Sequence, residues 1–372
     1  MPLIYILYIL AGCICFGCCF KPRFPKKIAF LFLLILNICI VGLRSEYVGA
    51  DSLQYYLAFK ELNRASLEAA FQTRYAPGYI ALNRLVGFFT DSPYALFFVM
   101  GLFSLSVYFY FLKKNSANIF FAIVIFFCSG WELYIVAMRQ SMALACILLG
   151  LPFLFKEKKI IFLLFVFLAT QFHASAIIAA FFVFLYNLKI TKKLIIICIV
   201  CAALLSVFNF LLGKIVVFVN IGSYANYLDS EFNSAGSSYL VDFCIKVFPA
   251  LFIFLIGAKA KFQMTKEDNF FVVLALFYLC IRIIALNSII IDRLSLYFSF
   301  STPILASFLF DSNRIVQSSR RLLISFSLFF FVTLFCAVQI TRPNWMKISP
   351  YSPFWKPYNA YYLDMSTYFW EL

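Results

Sequence analysis

The chain has 372 residues, a formal net charge of +15, 64% hydrophobic and 20% aromatic residues, and a mean hydropathy of +0.95. A water-soluble protein of this length has no interior large enough for that apolar content, which excludes a soluble enzyme and a soluble nucleic-acid-binding protein. Apolar runs near 20 residues recur from end to end, so the class is all-α, a polytopic transmembrane helical bundle. Its basic excess reads as positive-inside topology, with no nucleic-acid partner.

In chain order, the first apolar stretch, 2–20, has no basic residues before it and several after it. It reads as an uncleaved span with its N-terminus outside. Lysine-rich clusters then mark one face: Lys21, Arg23, Lys26 and Lys27; Lys113 and Lys114; Lys156, Lys158 and Lys159; Lys189, Lys192 and Lys193; Lys259, Lys261 and Lys266; Arg314, Arg320 and Arg321. Placed in the cytoplasm, they define about twelve crossings, at 3–20, 28–43, 93–112, 119–133, 136–155, 160–172, 174–188, 194–212, 241–257, 270–287, 293–310 and 322–340. Both termini end outside. The Cys residues lie almost entirely within apolar runs. Cys15/Cys18 and Cys198/Cys201 have C-x-x-C spacing, but inside predicted spans. Neither a disulfide nor zinc is expected.

Two hairpins are anomalous. Residues 160–188 lie between two Lys clusters, yet two full spans need about 40 residues. Arms of about 14 residues rise roughly 21 Å, short of a ~30 Å hydrocarbon core. With both clusters inside, the tip at 172–175 stops below the outer surface, where polar groups need protein or a wet cavity around them. The alternative is one long tilted span, which inverts everything after it. The hairpin 119–155 has a similar break at Ser129, Gly130, Trp131 and Glu132. The chain reads as a single transmembrane domain, 1–372, with three long outer segments. The segment 44–92 carries helical stretches at 52–63 and 79–89, broken at Pro77-Gly78. The others are 213–240 and the aromatic tail 341–372, where Trp345, Trp355 and Trp370 suit an interfacial belt.

The outer face favours arginine: Arg44, Arg64, Arg74, Arg84, Arg139, Arg282, Arg293 and Arg342, against Lys60, Lys214, Lys347 and Lys356. Arginine offers a planar fork that holds phosphate bidentately and stays charged in a low dielectric. Arg139 stands between apolar segments near the start of a span, where a cation is unfavourable by about 2.5–3.5 kcal/mol on insertion scales. Its structural alternative is a snorkelling side chain paired with Glu132. Arg282 and Arg293 bracket a span junction, where Asp292 can pair with one of them. Arg64 reads as a solvated helix-face residue. His173, the one histidine, sits at the tip of the short hairpin and can act as a base or a donor, or bond a carbonyl between helices. Asp51 follows the second span and can act as a base or orient arginines. Asp229 and Glu231 have the look of an acidic metal pair but run into Asn233, Ser234 and Gly236, a solvated loop. No metal site is expected.

These pieces resemble the Wzy-type, EpsG-like polysaccharide polymerases of bacterial envelopes. The resemblance rests on Arg44, Val48, Gly49, Asp51 and Tyr55, then Gly78-Tyr79, Arg139-Gln140, Phe172-His173 with Ser175, Asp292-Arg293 with Tyr297-Phe298, and Pro350-Tyr351. Ala50 departs from it, since related sequences usually carry a small polar residue there. The resemblance implies a membrane-embedded, GT-C type glycosyltransferase in the bacterial inner membrane. It implies an active site facing the periplasm, joining repeat units carried on undecaprenyl pyrophosphate for O-antigen, capsule or exopolysaccharide. No cofactor is implied. The implied partners are the lipid-linked oligosaccharide, membrane lipid, and a chain-length regulator and a flippase of the same pathway. On this reading Arg44, Arg74, Arg139, Arg282 and Arg293 bind pyrophosphate, His173 or Asp51 supplies the base, and Tyr55, Tyr79, Gln140 and Tyr351 meet sugar.

The rivals are a lipid-linked-oligosaccharide flippase, a membrane O-acyltransferase and a structural export subunit. A flippase predicts two related halves, and none is visible. An acyltransferase wants its histidine on the cytoplasmic side, and a structural subunit leaves Arg139 and His173 without a role.

Overall fold

The computed structural model describes residues 3–20, 25–131, 133–219, 247–259, 265–287, 289–310 and 351–355. Lys21, Arg23, Glu132, Asp229, Glu231, Lys261, Arg314, Arg320, Arg321, Arg342, Trp345, Lys347, Lys356, Trp370 and the crossing at 322–340 lie outside them. Among the described residues every regular element is helical, and the one extended pairing is an antiparallel bridge between Arg44 and Pro353.

The elements begin with α1 (Leu3–Phe20), α2 (Lys26–Gly42), α3 (Ser52–Arg64), α4 (Leu67–Phe71) and α5 (Pro77–Phe89). Pro77 does not break a helix, as the sequence suggests. It opens α5 at the first position, where its missing N–H costs nothing and its fixed φ suits the helix. Next come α6 (Pro93–Asn115), α7 (Ile119–Ser129), α8 (Leu133–Val136), α9 (Met138–Phe155) and α10 (Lys159–Thr170). Asn118 caps α7 by accepting from the Phe120 and Phe121 N–H groups at 3.0 and 3.1 Å. The expected break at 129–132 is a turn at Gly130-Trp131, followed by a second interruption at Ala137 before α9.

The chain from 159 to 185 is a helical hairpin. Its first arm is α10, and its second starts as a 3-10 helix (Ala174–Phe181) that runs into α11 (Phe182–Leu185). The twelve residues of α10 rise about 18 Å, well short of a ~30 Å hydrocarbon core. Then follow α12 (Lys192–Val219), α13 (Phe248–Lys259), α14 (Lys266–Ile284), α15 (Ile289–Ser295) and α16 (Ser301–Ser307). Thr265 and Asp268 form a reciprocal capping box at the start of α14.

The segment expected as one span at 293–310 starts earlier and winds more tightly. Between α15 and α16 the backbone uses three-residue bonds, such as Phe298 N–H to Ser295 C=O at 2.9 Å. Ser295, Ser299 and Ser301 each turn their hydroxyl back onto the carbonyl three residues earlier, at 2.6–2.8 Å. Such local bonds compete with regular α-helical pairing. This segment therefore carries Arg293 on a helix rather than at a span's end.

Helix α9 is the hub, lying between α6 and α10 with Met142 to Leu148 wholly buried. A helix apolar all round belongs in an interior. Two described helices, Pro93–Asn115 and Met138–Phe155, are long and apolar enough to cross a membrane. Lys159–Thr170, Ala174–Leu185 and Ser301–Phe310 are apolar but shorter. Large side chains nonetheless face outward along the hairpin and α5, including Leu164, Phe167, Phe184, Phe88 and Phe89. Apolar surface of that extent suits lipid and not water.

Candidate functional site

The site begins with a turn. Gly49 has φ +99°, a left-handed conformation that L side chains rarely adopt, and a Cβ there would stand 2.7 Å from Ile135 Cγ2. The turn is braced from inside by Arg44. Its guanidinium is fully buried, lies over the Phe97 ring, and bonds the Val41 carbonyl, the Val48 carbonyl (3.1 Å), the Ser52 hydroxyl (3.2 Å) and the Ile135 carbonyl (2.9 Å). Arg44 thus fixes the α2–α3 turn against α8, and its buried fork is taken up by these partners. Tyr351 has a matching part. Its hydroxyl donates to the Ile40 carbonyl at 2.9 Å, while Ser352 and Phe354 bond the backbone of Ser45 and Leu43.

The braced turn delivers Asp51 to the N-cap of α3. A carboxylate there ordinarily accepts a backbone N–H of the first turn. Asp51 makes no such bond and faces Arg293 on α15, Oδ2 to Nη2 3.7 Å. Burial raises its pKa above the usual carboxylate range, opposed by the charges of Arg293 and Arg139. Desolvation is thus the larger influence on the carboxyl.

Arg139 enters from the second position of α9. Its guanidinium is ringed by Tyr75, Tyr79 and Tyr55, with ring centroids at 5.2, 5.6 and 5.8 Å. Cation–π contact of this kind stabilises a cation where water is scarce. Its Nε is buried with no hydrogen-bond partner among the described residues. A part-buried cation with an unmatched donor is ready for an anion. Tyr75 was not singled out in the sequence. The signal was there, because Tyr75 and Tyr79 are four residues apart at a helix start and Tyr55 returns on α3 to meet them.

His173 reaches the same place from the hairpin tip. Its ring is within electrostatic reach of Arg139 and Arg293. Its Nδ1 lies 2.6 Å from Ser175 Oγ and 3.3 Å from the Tyr297 hydroxyl. The tip is gripped by α5. Tyr79 N–H, an otherwise unmatched donor of that helix's first turn, bonds the Gln171 carbonyl at 3.1 Å. Gly78 makes the approach possible, since a Cβ there would stand 2.8 Å from both Gln171 Cβ and its carbonyl oxygen.

The remaining predicted residues divide. Gln140 is buried beside Arg139 and donates to the Arg293 carbonyl at 2.6 Å. Arg282 forms an ion pair with Asp292 at 2.6 Å and lies over Tyr278, so the expected pairing at this junction falls to Arg282 and leaves Arg293 to Asp51. Arg74 is exposed and packs on Tyr75. Arg64 is exposed, as a solvated helix-face residue should be. The structure therefore gathers Asp51, Tyr55, Tyr79, Arg139, Gln140, His173 and Arg293, and uses Arg44 and Tyr351 as framework.

Among the described residues no group of three or more His, Cys, Asp or Glu is arranged to hold a metal ion. Two cations, a carboxyl and an imidazole can neutralise a polyanionic group and move one proton beside it. A search of known families matches the EpsG family over residues 27–353. No curated protein and no solved structure matches. The matched region takes in the braced turn, α9, the hairpin tip, α15 and the segment ending at Pro353, and this family points to a membrane protein with a polysaccharide-polymerase type, glycosyltransferase-like function. The chain belongs to the EpsG family, the Wzy/EpsG-like polymerases.

Proposed function

We propose that the protein joins oligosaccharide repeat units carried on undecaprenyl pyrophosphate, at the periplasmic face of the bacterial inner membrane, as a polymerase of O-antigen, capsule or exopolysaccharide. The growing glycan passes from its lipid carrier to a hydroxyl at the non-reducing end of a second lipid-linked unit. One C–O bond to the pyrophosphate breaks, one glycosidic C–O bond forms, and the acceptor proton goes to a protein base. The observation that carries this reading is the convergence of Arg139, Arg293, Asp51 and His173 from four separate parts of the chain.

Pyrophosphate carries several negative charges and leaves without a general acid once those charges are met. Arg139 is the principal partner, because its part-buried fork is caged by tyrosines and its Nε has no hydrogen-bond partner among the described residues. Arg293 is the second and is freer to move, being half-exposed. The reading needs no metal, since fixed cations supply the charge. One base completes it. His173 is the better placed, with Nδ1 held by Ser175 and the ring within electrostatic reach of Arg139 and Arg293, while Asp51 orients Arg293. Tyr55, Tyr79 and Gln140 are buried beside Arg139 and back the place where a sugar would sit.

The test is genetic and chemical together. In cells carrying His173→Ala, long polymer should vanish and single lipid-linked repeats accumulate while the protein still inserts. Normal ladders on a gel would remove the base role from His173.

A further inference from the structure

Two arginines of the site share one carboxylate. Arg293 pairs with Asp51, Oδ2 to Nη2 3.7 Å, while the neighbouring Asp292 is taken by Arg282. Among the described residues Arg139 forms no salt bridge and rests against tyrosine rings. Like charges so placed repel. Their separation therefore needs a fixed support.

Helix α3 supplies one side of that support. Arg293 meets Asp51, and the Arg139 guanidinium lies 5.8 Å from the centroid of the Tyr55 ring. Asp51 and Tyr55 are four residues apart, and the Tyr55 N–H donates to the Asp51 carbonyl at 3.1 Å. Residues at this spacing share a helix face, with Cβ atoms about 5–6 Å apart. The two arginines are thus set against two points one helical turn apart.

Gln140 supplies the other side. It follows Arg139 on α9, is 1% exposed, and its Nε2 donates to the Arg293 carbonyl at 2.6 Å. That carbonyl lies in the last turn of α15, where helix carbonyls lack intrahelical partners, and its bond from the Leu296 N–H is long at 3.4 Å. With seven residues, α15 is too short to hold a helix by its own bonds, so ties from outside set where it sits. The backbone of Arg293 is therefore pinned by the residue next to Arg139. Its side chain, 47% exposed, keeps the freedom to turn toward a ligand.

We propose that Gln140 is a positioning residue that fixes Arg293 relative to Arg139, so that the pair clamps two linked phosphates in preference to one. The proposal rests on the pyrophosphate reading given above and adds a selectivity to it. A diphosphate engages both forks at once, and a monophosphate engages one at a time. Preorganised spacing is what makes the second contact count, because no ordering of α15 is left to be done on binding.

The test uses the full chain in lipid bilayers, with undecaprenyl pyrophosphate and undecaprenyl phosphate as probes and Kd measured for each. The native chain should bind the diphosphate roughly tenfold or more tightly than the monophosphate, the weight of one further charge-assisted hydrogen bond. Gln140→Met, close in size but without a donor, should lose most of that ratio through weaker diphosphate binding, with the monophosphate little changed. Gln140→Asn, whose amide stops one methylene short of the carbonyl, should lose it too, and replaces the Met variant if that one does not fold. Arg293→Ala should also lose the ratio, and adding Gln140→Met to it should cost nothing further, because Gln140 acts through Arg293. A ratio that survives in the Gln140 variants, or a further loss when Gln140→Met is added to Arg293→Ala, would overturn the inference and leave the pyrophosphate reading in place. A native chain that binds the two lipids equally would defeat the pyrophosphate site itself, and the clamp with it.

Discussion

Arg139 and Arg44 carry the same side chain and are built for opposite purposes. Arg44 is surrounded by carbonyl oxygens, and its fork has a partner on every side. Arg139 is surrounded by aromatic rings that stabilise its charge, and its Nε has no hydrogen-bond partner among the described residues. Arg139→Lys should therefore impair polymerisation nearly as much as Arg139→Ala, each by about 10²–10³-fold, the loss seen when one charge-stabilising donor is removed from a reacting centre. A chain-length assay in which the Lys variant is fully active would end the phosphate role.

Asp51 gives a second, opposed pair of outcomes. Its carboxyl has a raised pKa because burial outweighs the attraction of Arg293 and Arg139. Its contribution to stability is full below the unfolded-state pKa and is lost as pH rises through the folded-state value. At neutral pH the buried charge therefore opposes folding. Asp51→Asn should raise the midpoint of thermal unfolding at pH 7 and lower the rate of polymerisation. The two proteins should unfold alike below the ordinary carboxylate range. A lower midpoint for the Asn variant at pH 7 would mean that the ion pair with Arg293 outweighs the burial.

At the scale of elements, the site depends on two close approaches of backbone. Gly49 lets the α2–α3 turn meet α8, and Gly78 lets α5 meet the hairpin tip. Gly78→Ala should push Gln171 away, destabilise the protein by about 1–3 kcal/mol, and displace His173. Loss of activity without loss of Arg139's aromatic cage would separate the hairpin's part from that of α5. The reading of these elements from sequence was uneven for physical reasons. Long apolar runs such as those of α6 and α9 are legible because helix length and apolar content suffice to identify them. The short hairpin was legible from its flanking lysines, since 29 residues between two such clusters leave no room for two full spans. The tight winding between α15 and α16 was not, because serine hydroxyls bonding backward change the winding without changing hydrophobicity. Among the arginines, composition could say that the outer set was unusual. It could not say that Arg44 meets carbonyls, that Arg282 takes Asp292, or that Arg293 is left for Asp51, because those partners are tens of residues away or set by a turn.

For the molecule as a whole, the proposed twelve-span arrangement is most exposed to test at the hairpin. In a background lacking native cysteines, single Cys residues replacing His173 and Ile190 should differ in accessibility. The first should react with a membrane-impermeant thiol reagent from the periplasm and the second should not. Labelling at position 190 from the periplasm would mean that the chain crosses once between the two Lys clusters and that everything after it is inverted.

The central claim is that this membrane protein polymerises glycans by using Arg139 and His173 against a lipid pyrophosphate. It is tested most directly by placing the purified chain in liposomes with a repeat unit linked to undecaprenyl pyrophosphate, in the presence of a metal chelator. The account predicts a ladder of products with release of undecaprenyl pyrophosphate, and neither with Arg139→Ala or His173→Ala. A ladder of equal length and rate from either variant would contradict it.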